Sequence, residues 1–126
     1  MIKQIKLAGV FVNDADKAYD FYVNKLGFEV KEDQQMGEGG RWLEVVPPGA
    51  TTRLAIATPF PGQTDARVGG FTRIAFTTDD IQATYEKLVA KGVHFTEKPT
   101  RQVWGDVQAQ FADPDGNVFL LGEGDD

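Results

Sequence analysis

Apolar residues recur at helical spacing in two stretches of the chain. Ala15, Ala18, Tyr19, Tyr22 and Val23 fall at i, i+3, i+4, i+7 and i+8. Ile81, Thr84, Tyr85, Leu88 and Val89 repeat that spacing 66 positions later. Each set forms one stripe on a helix. Asn13 or Asp14 can cap the first helix, and Asp79 can cap the second, with Gln82 three residues on as a capping-box partner. Gly27 and Gly92 suit the left-handed residue that ends a helix. The residues just before, 6–12 and 72–78, are rich in β-formers and predict strands.

The rest of each copy reads as hairpins. Strands are expected over 29–34, 41–46 and 53–57, with turns at Gly37, Gly39 and Gly40 and at PPGAT. In the second copy strands are expected over 93–96, 107–112 and 117–122. A loop runs from Pro99 through Trp104 and Gly105, and DPDG makes a turn. A shift of 65 lays RWLEVVPPGATTRLAIA on DVQAQFADPDGNVFLLG. The order is βαβββ twice: one domain over residues 1–126, with module one at about 1–58, a linker at about 59–69 and module two at about 70–126. The fold class is α+β.

Composition narrows the function. A chain of 126 residues can bury a core without staples. It has no cysteine, which excludes disulfides and thiolate metal sites. The net charge of −6 opposes nucleic-acid binding, which rests on cations meeting phosphates. It mildly favours cationic small molecules. No apolar run approaches a membrane span, and MIKQIKL has no signal-peptide core, so a cytoplasmic location is the default expectation.

The runs VNDADKAYDFYVNKLGFEV, FTTDDIQATYEKLVAKGVHF and FADPDGNVFLL resemble the glyoxalase, bleomycin-resistance and extradiol-dioxygenase superfamily, the vicinal oxygen chelate fold. The resemblance covers nearly the whole chain. It implies that each βαβββ module curls into a half-barrel sheet, that the two enclose a cavity, and that a homodimer forms. Enzymes of that family hold a divalent metal on the first and last strands of each unit. Counting from Asp14, Asp80 and Gly116, those positions here are Leu7, Ala55, Arg73 and Leu120. Leu and Ala have no donor atom, and Arg has a fixed charge and no lone pair to give. The residues therefore predict neither metal nor other cofactor.

Other motifs lead to turns rather than sites. The only histidine, His94, lies off the ligand positions and reads as a partly exposed strand residue. The glycines at 37–40 precede a strand, where a phosphate cradle needs a helix. Asp113, Asp115 and Asn117 mimic a calcium loop but lack its later Gly and Glu. Serine is absent as well as cysteine, so no such nucleophile exists. Glu123, Asp125 and Asp126 read as a solvated tail.

Strand alternation predicts the cavity lining. Leu7, Gly9 and Phe11 share a face, as do Arg73, Ala75 and Thr77. Pairing across PPGAT puts Glu44 opposite Ala55, with Trp42 and Val46 alongside. In the second hairpin Val107, Ala109 and Phe111 are expected to face inward with Val118 and Leu120. Arg73, if inside, needs a partner, because a buried unpaired charge is strongly disfavoured. That partner is either Glu44 or a ligand's anionic or carbonyl group. Trp104, on a loop, can stack on a flat ligand, while Trp42 can pack or do the same.

Three functions compete. One is a metal-independent small-molecule-binding protein, similar to the bleomycin-resistance branch, that sequesters a drug or metabolite. Another is a lyase, isomerase or dioxygenase with an atypical or relocated site. The third is a partner-binding module with a vestigial cavity. The first is preferred.

Overall fold

The computed structural model describes residues 1–37 and 39–124. The elements follow the duplicated order. The first copy holds β1 (Leu7–Phe11), α1 (Ala15–Tyr19), β2 (Glu29–Gln35), β3 (Arg41–Val46) and β4 (Arg53–Ala57). The second holds β5 (Gly70–Thr78), α2 (Ile81–Ala90), β6 (His94–Arg101), β7 (Val107–Ala112) and β8 (Asn117–Glu123). Each copy makes its own four-stranded mixed sheet, ordered β1-β4-β3-β2 and β5-β8-β7-β6. The chain divides into two units, Met1–Gly69 and Gly70–Asp126, so residues 59–69 cluster with the first. The class is α+β.

In the first unit Asp14 caps α1, accepting from the backbone N–H groups of Asp16 and Lys17 at 3.1 and 3.0 Å. The helix then widens into π-helical turns over Asp20–Lys25. The Leu26 N–H donates to the carbonyl of Phe21. The wider turn lets two adjacent aromatics, Phe21 and Tyr22, both be buried, with their rings edge to face at 4.9 Å. A strict 3.6-residue stripe would have paired Tyr22 with Val23, which stays half-buried. Arg41 ties the helix to the sheet. Its guanidinium grips Asp33 through two hydrogen bonds of 2.9 and 2.8 Å, reaches Asp16 at 3.1 Å and lies over the Tyr19 ring.

The second unit is built around phenylalanines. Phe76, Phe95, Phe111 and Phe119 form a contiguous ring cluster with centroids 5.4–6.1 Å apart. Tyr85 of α2 meets Phe95 edge to face at 4.8 Å. The α2 cap is Asp80, which accepts from the Ala83 N–H, and not Asp79 as expected. Gln82 donates to Glu86 instead of closing a capping box. Gly27 and Gly92 both have positive φ, as a left-handed helix end requires. The Glu123 carboxylate accepts from the Ile81 N–H, so that residue serves α2 and is no free tail. Asp125 and Asp126 lie outside the described residues.

Three sequence expectations give way to sheet geometry. β6 runs on through Pro99 to Arg101, because it is an edge strand with register shifts that accommodate proline. The two hairpins are not in one register under a single shift. Eight residues separate the paired Val45 and Leu54, whereas seven separate Phe111 and Phe119. One residue inverts every side chain on a strand. Ala109 and Phe111 therefore pair with Leu121 and Phe119 in the core, on the face opposite Leu120 and Val118. Finally, β5 is irregular between Phe71 and Ala75, where Thr72 bonds the Val118 carbonyl and the Ile74 N–H. Arg73 sits inside that bulge with φ 63 and is exposed. The foreseen buried charge does not arise, because Arg73 does share a face with Ala75 and Thr77, but that face is exposed along β5.

Two stability changes follow. Phe111→Ala should destabilise by about 3–5 kcal/mol in denaturant melts, as a large ring lost from a packed core does. Arg73→Gly should stabilise by about 0.5–1 kcal/mol, since glycine adopts the left-handed region without steric cost. Loss of stability in the second variant would mean that the Arg73 side chain holds the bulge.

Candidate functional site

The chemistry collects on the first sheet, on the face away from Leu43, Val45, Leu54 and Ile56, which are buried. Strand register lays Gly9, Ala55, Glu44 and Glu32 in one row. Phe11, Ala57, Trp42 and Gln34 form the next, and Leu7 pairs with Arg53. Above these rows lies a cleft of about 460 Å³. Lys6, Arg53, Glu44 and Glu32 give it charge, and Gln34, Trp42, Met36 and Phe60 complete its lining. A volume of that size and mixed lining suits a small organic molecule.

Glu44 organises the cleft. One carboxylate oxygen accepts from the Trp42 indole Nε1 at 2.7 Å, the other from Arg53 Nη1 at 3.0 Å. Its side chain is 12% exposed. The indole N–H, followed by the guanidinium and the charge of Lys6, holds Glu44 below the ordinary carboxylate range, against the opposing effect of burial. Trp42 thus has its polar edge committed and only its ring faces to offer. Glu32 accepts from the Gln34 amide at 2.9 Å.

The other sequence candidates lie elsewhere. Leu7, Phe11 and Ala55 share the face of Trp42 and Glu44 but are not cleft-lining residues. Leu120, in the second unit, pairs with Ala75 and Gln110. Phe111 belongs to the phenylalanine cluster. Trp104 stands at the tip of the β6–β7 hairpin, 63% exposed, beside a wholly exposed Val103. The tip is closed by hydrogen bonds between Gln102 and Asp106 and from Arg101 to the Gly105 carbonyl. His94 is exposed at the start of β6, and the Asp113 carboxylate serves its own turn through the N–H groups of Asp115 and Asn117.

Arg53, Glu32 and Gln34 were accessible to the alternation argument, being two positions from Ala55 or paired across the glycine hairpin. Met36 and Phe60 come from irregular segments, where no period places a side chain, and Lys6, expected as the first residue of a strand, lies just before β1.

Comparison with known proteins fixes the lineage. The sequence profile of the Glyoxalase/Bleomycin resistance protein/Dioxygenase superfamily matches residues 4–121. The chain belongs to this superfamily. Its fold matches the crystal structure of a superfamily member from Sphaerobacter thermophilus DSM 20745 with a TM-score of 0.88, at 44% identity over 98% of each chain. It is also similar to TnmS3, an antibiotic binding protein from Streptomyces sp. CB03234. That likeness has 38% identity and a TM-score of 0.79, covering 97% of this chain and 96% of the other. The Bacillus subtilis (strain 168) protein YetH is 43% identical over 98% of this chain and 100% of its own length.

The superfamily's metalloenzymes raise the question of a metal. The positions that resemblance assigns to its ligands hold Leu7, Ala55, Arg73 and Leu120, none of which can donate. Among the described residues no three His, Cys, Asp or Glu side chains converge to hold an ion. The residues present do not fit a metal at those positions.

The Glu44 anchor has a pH signature. Its carboxyl is depressed in the folded state, so the stability it adds is present above the unfolded value of about 4.3 and is lost as pH falls through the lower folded value. Denaturant midpoints of the native chain and Glu44→Gln should differ most at neutral pH and converge below about pH 4. A constant difference down to pH 3 would show that Glu44 is not held ionised.

Proposed function

We propose that this chain is a metal-independent small-molecule-binding protein of the glyoxalase/bleomycin-resistance type, which sequesters a drug or metabolite. The observation that carries the reading is Trp42. Its N–H is fixed by Glu44 and it borders an open cleft, where its ring faces are ready to stack on a flat ligand. An aromatic held by a hydrogen bond loses little freedom on binding, which favours affinity. The likeness to an antibiotic binding protein supports the same reading. A cytoplasmic homodimer is the form in which we expect it to work.

Thermal melts with a panel of planar antibiotics, and with Zn²⁺, Mg²⁺, Mn²⁺ and Ni²⁺, test this. A bound drug at a hundred times its Kd should add about 2.7 kcal/mol of stability. The drug should be recovered unchanged, and the metals should leave the melt where it was. Stabilisation by a metal, or conversion of the drug, would overturn the proposal in favour of a lyase, isomerase or dioxygenase with a relocated site.

A further inference from the structure

The charges in the cleft are not spread evenly. Lys6 and Arg53 are neighbours, joined by a backbone hydrogen bond from the Arg53 N–H to the Lys6 carbonyl. Glu44 stands opposite Ala55, two residues along β4 from Arg53. Its two oxygens are already taken by Trp42 and by one guanidinium nitrogen. Among the described residues, the other Arg53 nitrogens and the Lys6 ammonium have no hydrogen bond or ion pair. Glu32 lies on the far side of Glu44, on edge strand β2, and is engaged by Gln34. This end of the cleft therefore has two cations, one carboxylate already engaged through both oxygens, and several N–H donors without a partner. The second copy is an internal contrast. The residue in the place of Arg53 is Val118, and the one in the place of Lys6 is Thr72.

From this geometry we propose an anion subsite. Lys6 and the uncommitted donors of Arg53 receive a carboxylate, sulfonate or phenolate carried by a planar ligand whose ring stacks on Trp42. Glu44 is the positioning residue. It holds the guanidinium in place and occupies the indole N–H, which leaves the ring only apolar contact to make. Arg is suited to this because its planar fork can serve one anion while bonded to another. The ligand class thus runs against the chain's overall negative charge, which by itself would favour a cation. The inference rests on the proposed small-molecule role of the cleft.

Two probes that differ only by a sulfonate test it: 1-anilinonaphthalene-8-sulfonate and N-phenyl-1-naphthylamine. In a Trp104→Phe background Trp42 is the single tryptophan, so quenching of its emission reports binding at the cleft. The sulfonate should bind more tightly than its neutral twin. Lys6→Met and Arg53→Gln should each weaken the sulfonate by about threefold to fivefold, the range of a solvent-accessible ion pair, and leave the neutral probe within about twofold. Arg53→Gln retains a donor for Glu44, and its melting curve checks the fold. Equal binding of the two probes, or equal loss of both in Lys6→Met, overturns the anion subsite and leaves the binding role standing. Failure of both probes to quench Trp42 overturns the binding role of the cleft and the subsite together.

Discussion

A carboxylate withdrawn from water must have its charge answered, or it costs several kcal/mol. Glu44 meets that demand with Trp42 on its own strand and Arg53 on the next. Both side chains are thereby fixed on one face of the first sheet. The same row carries the small residues Gly9 and Ala55. Ala55 is also where the superfamily's metalloenzymes are expected to place a donor. Here a methyl group stands at that position, and the neighbouring carboxylate bonds a guanidinium and an indole.

The duplication shows how narrowly that arrangement depends on register. In the second unit the corresponding row is Ala75, Leu120, Gln110 and Glu97. No arginine faces its glutamine, because the position of Arg53 is taken by Val118. The place of Trp42 is taken by Gln108. What the second unit has instead is its phenylalanine cluster on the opposite face, where α2 packs. One copy keeps an open polar face and the other puts its distinctive aromatics into the core. The backbone plan is shared while the chemistry is not.

The parts legible in the sequence were those fixed by local physics. Periodic stripes located both helices, Gly27 and Gly92 marked their ends, and DPDG marked a turn whose Asp113 does bind the following N–H groups. Strand alternation grouped Leu7, Gly9, Phe11, Trp42, Glu44 and Ala55 on one face. The failures came where a single residue is inserted or removed. A hairpin loop one residue shorter moved Phe111 to the core. A widened helical turn buried Phe21 beside Tyr22. Neither of these leaves a trace in hydrophobic period, because each conserves composition and alters only phase. The cleft residues Met36 and Phe60 escaped for a different reason, since side chains of irregular segments follow no period at all, and Lys6 escaped because β1 begins one residue later than expected.

The state of Glu44 also weighs between binding and catalysis. A general base needs an available lone pair and a pKa near the working pH. Glu44 keeps lone pairs, but each of its oxygens accepts a hydrogen bond from within the sheet, and those bonds hold its carboxyl low, away from neutral pH. Taking a proton would remove the charge that draws the Trp42 indole and the Arg53 guanidinium to it, two groups that line the cleft. Protonation would weaken both contacts, so the low carboxyl favours the orienting role over that of a base. The geometry supports orientation: Glu44 fixes the indole and the guanidinium that border the cleft.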